Sequence, residues 1–144
     1  MPYFFYNVMY SNFIFPQSQT RLKPLFNIFL YSVSVALNLS GHNVAFTHGH
    51  LSKPSGNAGQ SVWNWWKDQT MGKGHPGVAD ANMLITGHYH HLNVKEQEGR
   101  VVFVCPSLTA VGEYFQDSYG VKTRAGTLSL VIEEDGWGDL HLIN

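Results

Sequence analysis

This chain of 144 residues has little cysteine, almost no net charge and few long apolar runs. Its single cysteine excludes a disulfide framework and a cysteine-rich zinc module. Its 9 Lys+Arg and 10 Asp+Glu give a net charge of −1, which argues against a protein that holds nucleic acid mainly by bulk electrostatics. The length suits one domain with a sizeable core.

The first forty residues contain no glycine, aspartate, glutamate or histidine. Three interpretations are open for them: a buried helix or strand pair, a membrane tether formed by residues 25–39, or a segment foreign to the domain that follows. The apolar stretch 25–39 is shorter than the ~20 residues that a membrane-spanning helix needs. We expect a cytoplasmic protein. We therefore divide the chain into an atypical aromatic segment, 1–40, with a non-native or truncated start, and a domain, 41–144.

Two short apolar runs, residues 43–47 and 82–86, are typical of buried strands. Between them, a loop rich in Ser, Pro and Gly precedes residues 58–70, whose apolar spacing predicts a helix. Strand, helix and strand at this spacing form a crossover in which the two strands are parallel. Their carboxyl ends should lie at the same edge of one sheet, where open α/β sheets place their sites.

Both predicted strands are followed by histidine pairs: His48 and His50 after the first, His88 and His90 after the second. In an extended segment, residues i and i+2 project to one side, so each pair should face the same way. Imidazole binds zinc, manganese, iron or nickel, and it is also the usual general acid or base near neutral pH. The sequence therefore predicts a metal site, in preference to incidental histidines.

The rest of the chain is predicted to form β-sheet. Residues 92–97 and 101–105 flank a short turn, and residues 127–133 and 139–143 flank a second. Residues 106–126 form a polar connection that could border the site. Cys105 ends an apolar strand and is expected to be a buried thiol.

These motifs resemble the C-terminal half of the calcineurin-like metallophosphoesterases. In that family one strand ends in a Thr-His-Gly-His motif and the next in a Gly-His-x-His box, similar to residues 47–50 and 87–90 here. The resemblance covers roughly residues 42–135, and the overall sequence pattern is most similar to that of phage-encoded members. It implies an α/β (α+β) fold, a mixed β-sandwich flanked by helices, which would be incomplete at the N-terminus.

The resemblance also implies roles for the histidines. His48 and His88 would bind one metal ion, His90 would bind a second, and His50 would be a catalytic group on the substrate side. The ions would be Mn, Fe, Zn or Ni, two in the complete family site, and a hydroxide activated by both would attack phosphorus. The expected reaction is hydrolysis of a phosphomonoester or phosphodiester, with nucleic acid or a nucleotide among the candidate substrates.

One departure from the family limits this expectation. The family's N-terminal half supplies Asp-bearing boxes, including the carboxylate that bridges the two metals, and residues 1–40 contain nothing similar. We therefore expect a metallophosphoesterase-type hydrolase that acts only with a missing N-terminal half, present in the gene product or in a partner chain. The alternative is a non-catalytic fragment or a small binding or assembly module without a functional metal centre.

Overall fold

The computed structural model describes residues 3–7, 12–14, 34–53, 55, 57–108 and 124–143, which form two sheets and two helices. In chain order the elements are β1 (Tyr3–Asn7), β2 (Asn12–Ile14), β3 (Ser34–Leu39), β4 (His42–Thr47), α1 (Ala58–Thr70), α2 (Pro76–Ala79), β5 (Met83–Thr86), β6 (Asn93–Gln97), β7 (Arg100–Val104), β8 (Thr127–Glu133) and β9 (Gly136–Ile143). The strand orders are β2-β1-β8-β9 in one sheet and β3-β4-β5-β7-β6 in the other.

The predicted crossover is confirmed. Strands β4 and β5 are parallel neighbours, and β5 is in turn parallel to β7. Helix α1 has the predicted bounds because the Asn57 side chain caps its start by accepting a hydrogen bond from Gln60 N at 2.9 Å. The chain leaves the helix at Gly72, whose φ of +85° favours glycine.

Alternating side chains of the mixed sheet fill two cores, which makes the described fold a sandwich with a helical layer. On β5, Met83 and Ile85 face the four-stranded sheet, where they pack with Leu130 of β8. The intervening Leu84 faces the helices and packs with Trp66 of α1. The expected mixed β-sandwich flanked by helices is therefore confirmed.

Several predicted strand boundaries are wrong by one to three residues, and turn geometry explains two of them. Arg100 belongs to β7, because Glu98 and Gly99 have φ of +54° and +71° and form a two-residue turn. The last strand begins at Gly136 rather than at Asp139, because Gly136 already pairs with Glu133.

The first forty residues contribute strands to both sheets. Strand β1 pairs with β8, and β3 pairs with β4. Residues 25–33 of the predicted apolar stretch and residues 109–123 of the predicted connection lie outside the described residues. Of the helices that the structure describes, none has the length and apolar character needed to span a bilayer. The hypothesis that residues 1–40 are foreign to the domain stays a prediction.

Candidate functional site

The two histidine-bearing turns meet at one edge of the mixed sheet. Thr47 and Thr86, the last residues of β4 and β5, are paired across the parallel ladder. The chain leaves both strands at this level, and the rings of His48 and His88 lie edge to face with centroids 5.0 Å apart. The parallel crossover therefore brings residues 40 positions apart in sequence into direct contact.

The first turn places two imidazoles side by side. His48 Nδ1 and His50 Nδ1 are 3.3 Å apart, and their ring centroids are 5.3 Å apart. Between them, Gly49 has φ of +98°, and a Cβ built on it would overlap Thr86 Oγ1. Only glycine permits this close approach, which lets the first turn lie directly over the end of β5.

The second turn is not extended, so the reason given for expecting His88 and His90 to face the same side is wrong. His88 and His90 both have left-handed backbone, with φ of +68° and +59°. Tyr89 N donates to Gly87 O at 2.8 Å, which closes a tight three-residue turn around His88. Left-handed conformations in non-glycine residues are strained and concentrate at functional sites.

All four predicted site residues, His48, His50, His88 and His90, are exposed. His90 lies close enough for its charge to disfavour the protonation of His48 and His88. His91, which follows this turn, is half-buried, and its Nδ1–H donates to Tyr89 O at 2.8 Å.

The cluster favours neutral imidazoles. Partial burial lowers the pKa of His48, and repulsion from His88, His50 and His90 lowers it further. Partial burial also lowers the pKa of His88, together with repulsion from His50 and His90. The neutral ring is the form that binds a metal ion, so the chemistry of these donors fits a divalent cation.

The geometry of the cluster is not that of a formed metal centre. Within the described ranges, no three His, Cys, Asp or Glu side chains are grouped so that they could hold an ion. Exposed imidazoles can rotate to bring their nitrogens together at low cost. A carboxylate would also be expected in the family's two-metal site, and within the described part of the chain none raises the pKa of His48 or His88.

Sequence reasoning missed two residues that lie where the turns meet. Ser52 is 5% exposed, and its hydroxyl lies 2.8 Å from the Tyr89 hydroxyl, which joins one turn to the other. Thr86 Oγ1 is fully buried under Gly49 and has no hydrogen-bond partner within the described part of the chain. No motif in the sequence distinguishes Ser52 or Thr86 from the other serines and threonines of the chain.

No family model matches the sequence, and no curated protein matches it. Among solved structures, Vps29 from Entamoeba histolytica complexed with zinc matches with a TM-score of 0.52 and 19% identity, over 72% of this chain and 49% of that chain. Vps29 from Chaetomium thermophilum matches with a TM-score of 0.52 and 10% identity, over 70% and 48%. This chain thus spans about half the length of the structures that it matches.

These similarities concern the fold. Vps29 has the calcineurin-like metallophosphoesterase fold, and the described part of this chain has that fold too. The expectation drawn from the two histidine motifs is therefore confirmed for the architecture. The resemblance to phage-encoded members is not shown by these structures.

Proposed function

We propose that this chain contributes the histidine side of a metal-dependent phosphoesterase centre. One observation carries the proposal: two turns, each bearing a histidine pair, meet at the carboxyl ends of adjacent parallel strands, with His48 and His88 in ring contact. Strand ends of this kind are where open α/β sheets bind ligands. The zinc in the Entamoeba histolytica Vps29 structure shows that a protein with this fold can be crystallised with a divalent ion.

In this proposal His48 and His88 hold one divalent ion, Mn, Fe, Zn or Ni, and His90 faces a second. Bound ions of this kind neutralise the charge that develops on phosphorus oxygens and activate water for attack. His50 is exposed and has its Nδ1 3.3 Å from that of His48, so it can bind a phosphoester oxygen or hold a proton beside it. The substrate is a phosphomonoester or phosphodiester, such as a nucleotide or nucleic acid.

Among the residues that the structure describes, no carboxylate joins these histidines in a group that could hold an ion. Asp68 lies on α1 and pairs with Lys73 at 3.1 Å, and Glu98 lies in the β6–β7 turn, where it accepts from Gln97 at 3.0 Å. We propose that an Asp-bearing segment, in the same gene product or in a partner chain, packs against the histidine edge. Residues 41–144 then form the C-terminal half of the domain.

Calorimetric titration of the purified chain with Zn²⁺ and Mn²⁺ tests the proposal. We expect saturation at one ion and a loss of affinity of at least about 10–100-fold in His88→Ala, the range seen when residues that merely orient a ligand are removed. The matched control is His141→Ala, because His141 is an exposed histidine on β9, in the other sheet. Equal affinities for all three proteins, or no binding at all, would contradict the proposal.

Catalysis is tested separately with bis-p-nitrophenyl phosphate and Mn²⁺. We expect little turnover by the chain alone and turnover when an Asp-bearing polypeptide is supplied, lost again in His50→Ala and His88→Ala. Turnover that survives both substitutions would show that these histidines do not form the active centre.

A second candidate function is a binding or assembly module without a working metal centre. It is favoured by one observation: the described residues lack a group of three side chains arranged to hold an ion. This candidate predicts no zinc uptake and no change in zinc titration when His88 is replaced.

A further inference from the structure

The Tyr89 side chain lies between the two histidine turns and contacts both. Its ring lies edge to face against His88, with centroids 5.3 Å apart. It is half-buried and packs against the core between the mixed sheet and α1, while the neighbouring His88 and His90 remain exposed. A side chain that packs inward thus lies between the two exposed histidines of the second turn.

Hydrogen-bond donors at this contact can be assigned by counting protons. The Ser52 hydroxyl is 2.7 Å from Gly49 O, a carbonyl that can only accept, so the single Ser52 hydroxyl proton is used there. Ser52 N donates to the same carbonyl at 3.1 Å. The Tyr89 hydroxyl must therefore donate to Ser52, whose Oγ is 2.8 Å away and whose O is 3.3 Å away. The bonds run in one direction, from Tyr89 through Ser52 to Gly49.

This chain of bonds constrains both sets of histidines. Gly49 O and Ser52 N close the turn that contains His50 and follows His48. Tyr89 N closes the turn around His88, and Tyr89 O accepts from His91. A movement of the second turn relative to the first would break the contact between Tyr89 and Ser52.

We propose that Tyr89 is a positioning residue that fixes the two histidine turns relative to each other through its hydroxyl bond to Ser52. The proposal rests on the proposed function, because it assumes that His48 and His88 bind the same ion. Tyr89 does not touch the ion, and it acts by limiting how far the two imidazoles can separate. Groups that orient metal ligands typically change metal affinity by 10–100-fold when they are removed.

The test compares Tyr89→Phe, Ser52→Ala and the double variant. Tyr89→Phe removes the hydroxyl and keeps the ring that packs on the core. The matched control is Ser40→Ala, because the Ser40 hydroxyl also makes one long-range bond, to Ile132 O at 3.1 Å, but lies in the β3–β4 turn at the amino end of β4. The measurements are Zn²⁺ affinity, the visible absorption spectrum of bound Co²⁺, and the melting temperature of the metal-free protein.

We expect Tyr89→Phe and Ser52→Ala each to lower Zn²⁺ affinity by about 10-fold and to change the Co²⁺ spectrum. Because both act through one bond, the double variant should also lose about 10-fold rather than about 100-fold. Ser40→Ala should lower the melting temperature and leave affinity and spectrum unchanged. This pattern separates positioning from general stability.

The outcomes distinguish this inference from the proposed function. If the unsubstituted chain binds neither Zn²⁺ nor Co²⁺, the proposed function fails and takes the inference with it. If it binds them and both variants bind equally well with the same spectrum, the inference is overturned and the proposed function stands. Additive losses in the double variant would also overturn it, because they would show that Tyr89 and Ser52 act independently.

Discussion

Replacing Gly49 by alanine tests the close approach of the two histidine turns. An L-residue in the left-handed region costs about 1–2 kcal/mol, and Gly49 has φ of +98°. The added Cβ would also overlap Thr86 Oγ1, and overpacking of this kind costs about 1–3 kcal/mol. We therefore expect Gly49→Ala to lower the free energy of unfolding by about 2–5 kcal/mol.

Gly74 provides a matched control for the backbone contribution. It has φ of +109°, and a Cβ built on it meets nothing within 4 Å. Gly74→Ala should therefore cost only the left-handed contribution, about 1–2 kcal/mol. The difference between the two variants, measured by urea denaturation, isolates the overlap with Thr86.

Changing Thr86 in the Gly49→Ala background checks the origin of that difference. Thr86→Ala removes the overlapped atom and should recover about 1–3 kcal/mol. Thr86→Val keeps an atom in the same place and does not relieve the overlap, so it should recover less stability than Thr86→Ala. If Gly49→Ala cost no more than Gly74→Ala, or if Thr86→Val restored stability as well as Thr86→Ala, the close approach of the turns would be refuted.

Two further predictions concern pH and the helical layer. Because their folded-state pKa values are lowered below the ordinary value of about 6.5, protonation of His48 and His88 favours unfolding. The melting temperature of the metal-free protein should be constant above pH 7 and should fall as the pH drops below 6.5. The fall should be less steep in the double variant His48→Ala, His88→Ala. An equal dependence of melting temperature on pH in both proteins would contradict this. Trp66→Phe should cost about 0.5–1.5 kcal/mol, measured by urea denaturation, because Val78 O loses the indole N–H that donates to it at 2.7 Å and keeps the longer bond from Ala81 N, at 3.3 Å. A cost below about 0.5 kcal/mol, typical of surface changes, would contradict that assignment.

The parts of the fold that follow from local patterns could be predicted from the sequence. Alternation of apolar residues marked β8, helical spacing marked α1, and the order strand–helix–strand fixed the parallel pairing of β4 and β5. Parallel pairing alone was enough to place His48 beside His88, because both follow the last paired residues of their strands.

The details of the site depend on contacts between residues far apart in the chain. Left-handed backbone at His88 and His90 has no marker in the sequence, because histidine adopts that conformation only where the surrounding structure requires it. The bond between Ser52 and Tyr89 joins residues 37 positions apart, so neither residue is conspicuous on its own. The tight approach of Gly49 to Thr86 likewise depends on the register of the sheet rather than on any local motif.

Charge explains why this cluster of histidines needs carboxylates to become a two-metal centre. Two unit charges 4 Å apart repel by about 4 kcal/mol at an effective dielectric constant of 20, so two divalent ions repel by about 16 kcal/mol. Neutral imidazoles carry no charge that offsets this repulsion, whereas a bridging carboxylate lies between the ions and attracts both. The pKa values of His48 and His88 are lowered by partial burial and by repulsion from neighbouring histidines, so these two rings supply donors without that compensation. The histidines by themselves should therefore hold one ion, and a second ion should bind only when a carboxylate-bearing segment occupies the same edge of the sheet.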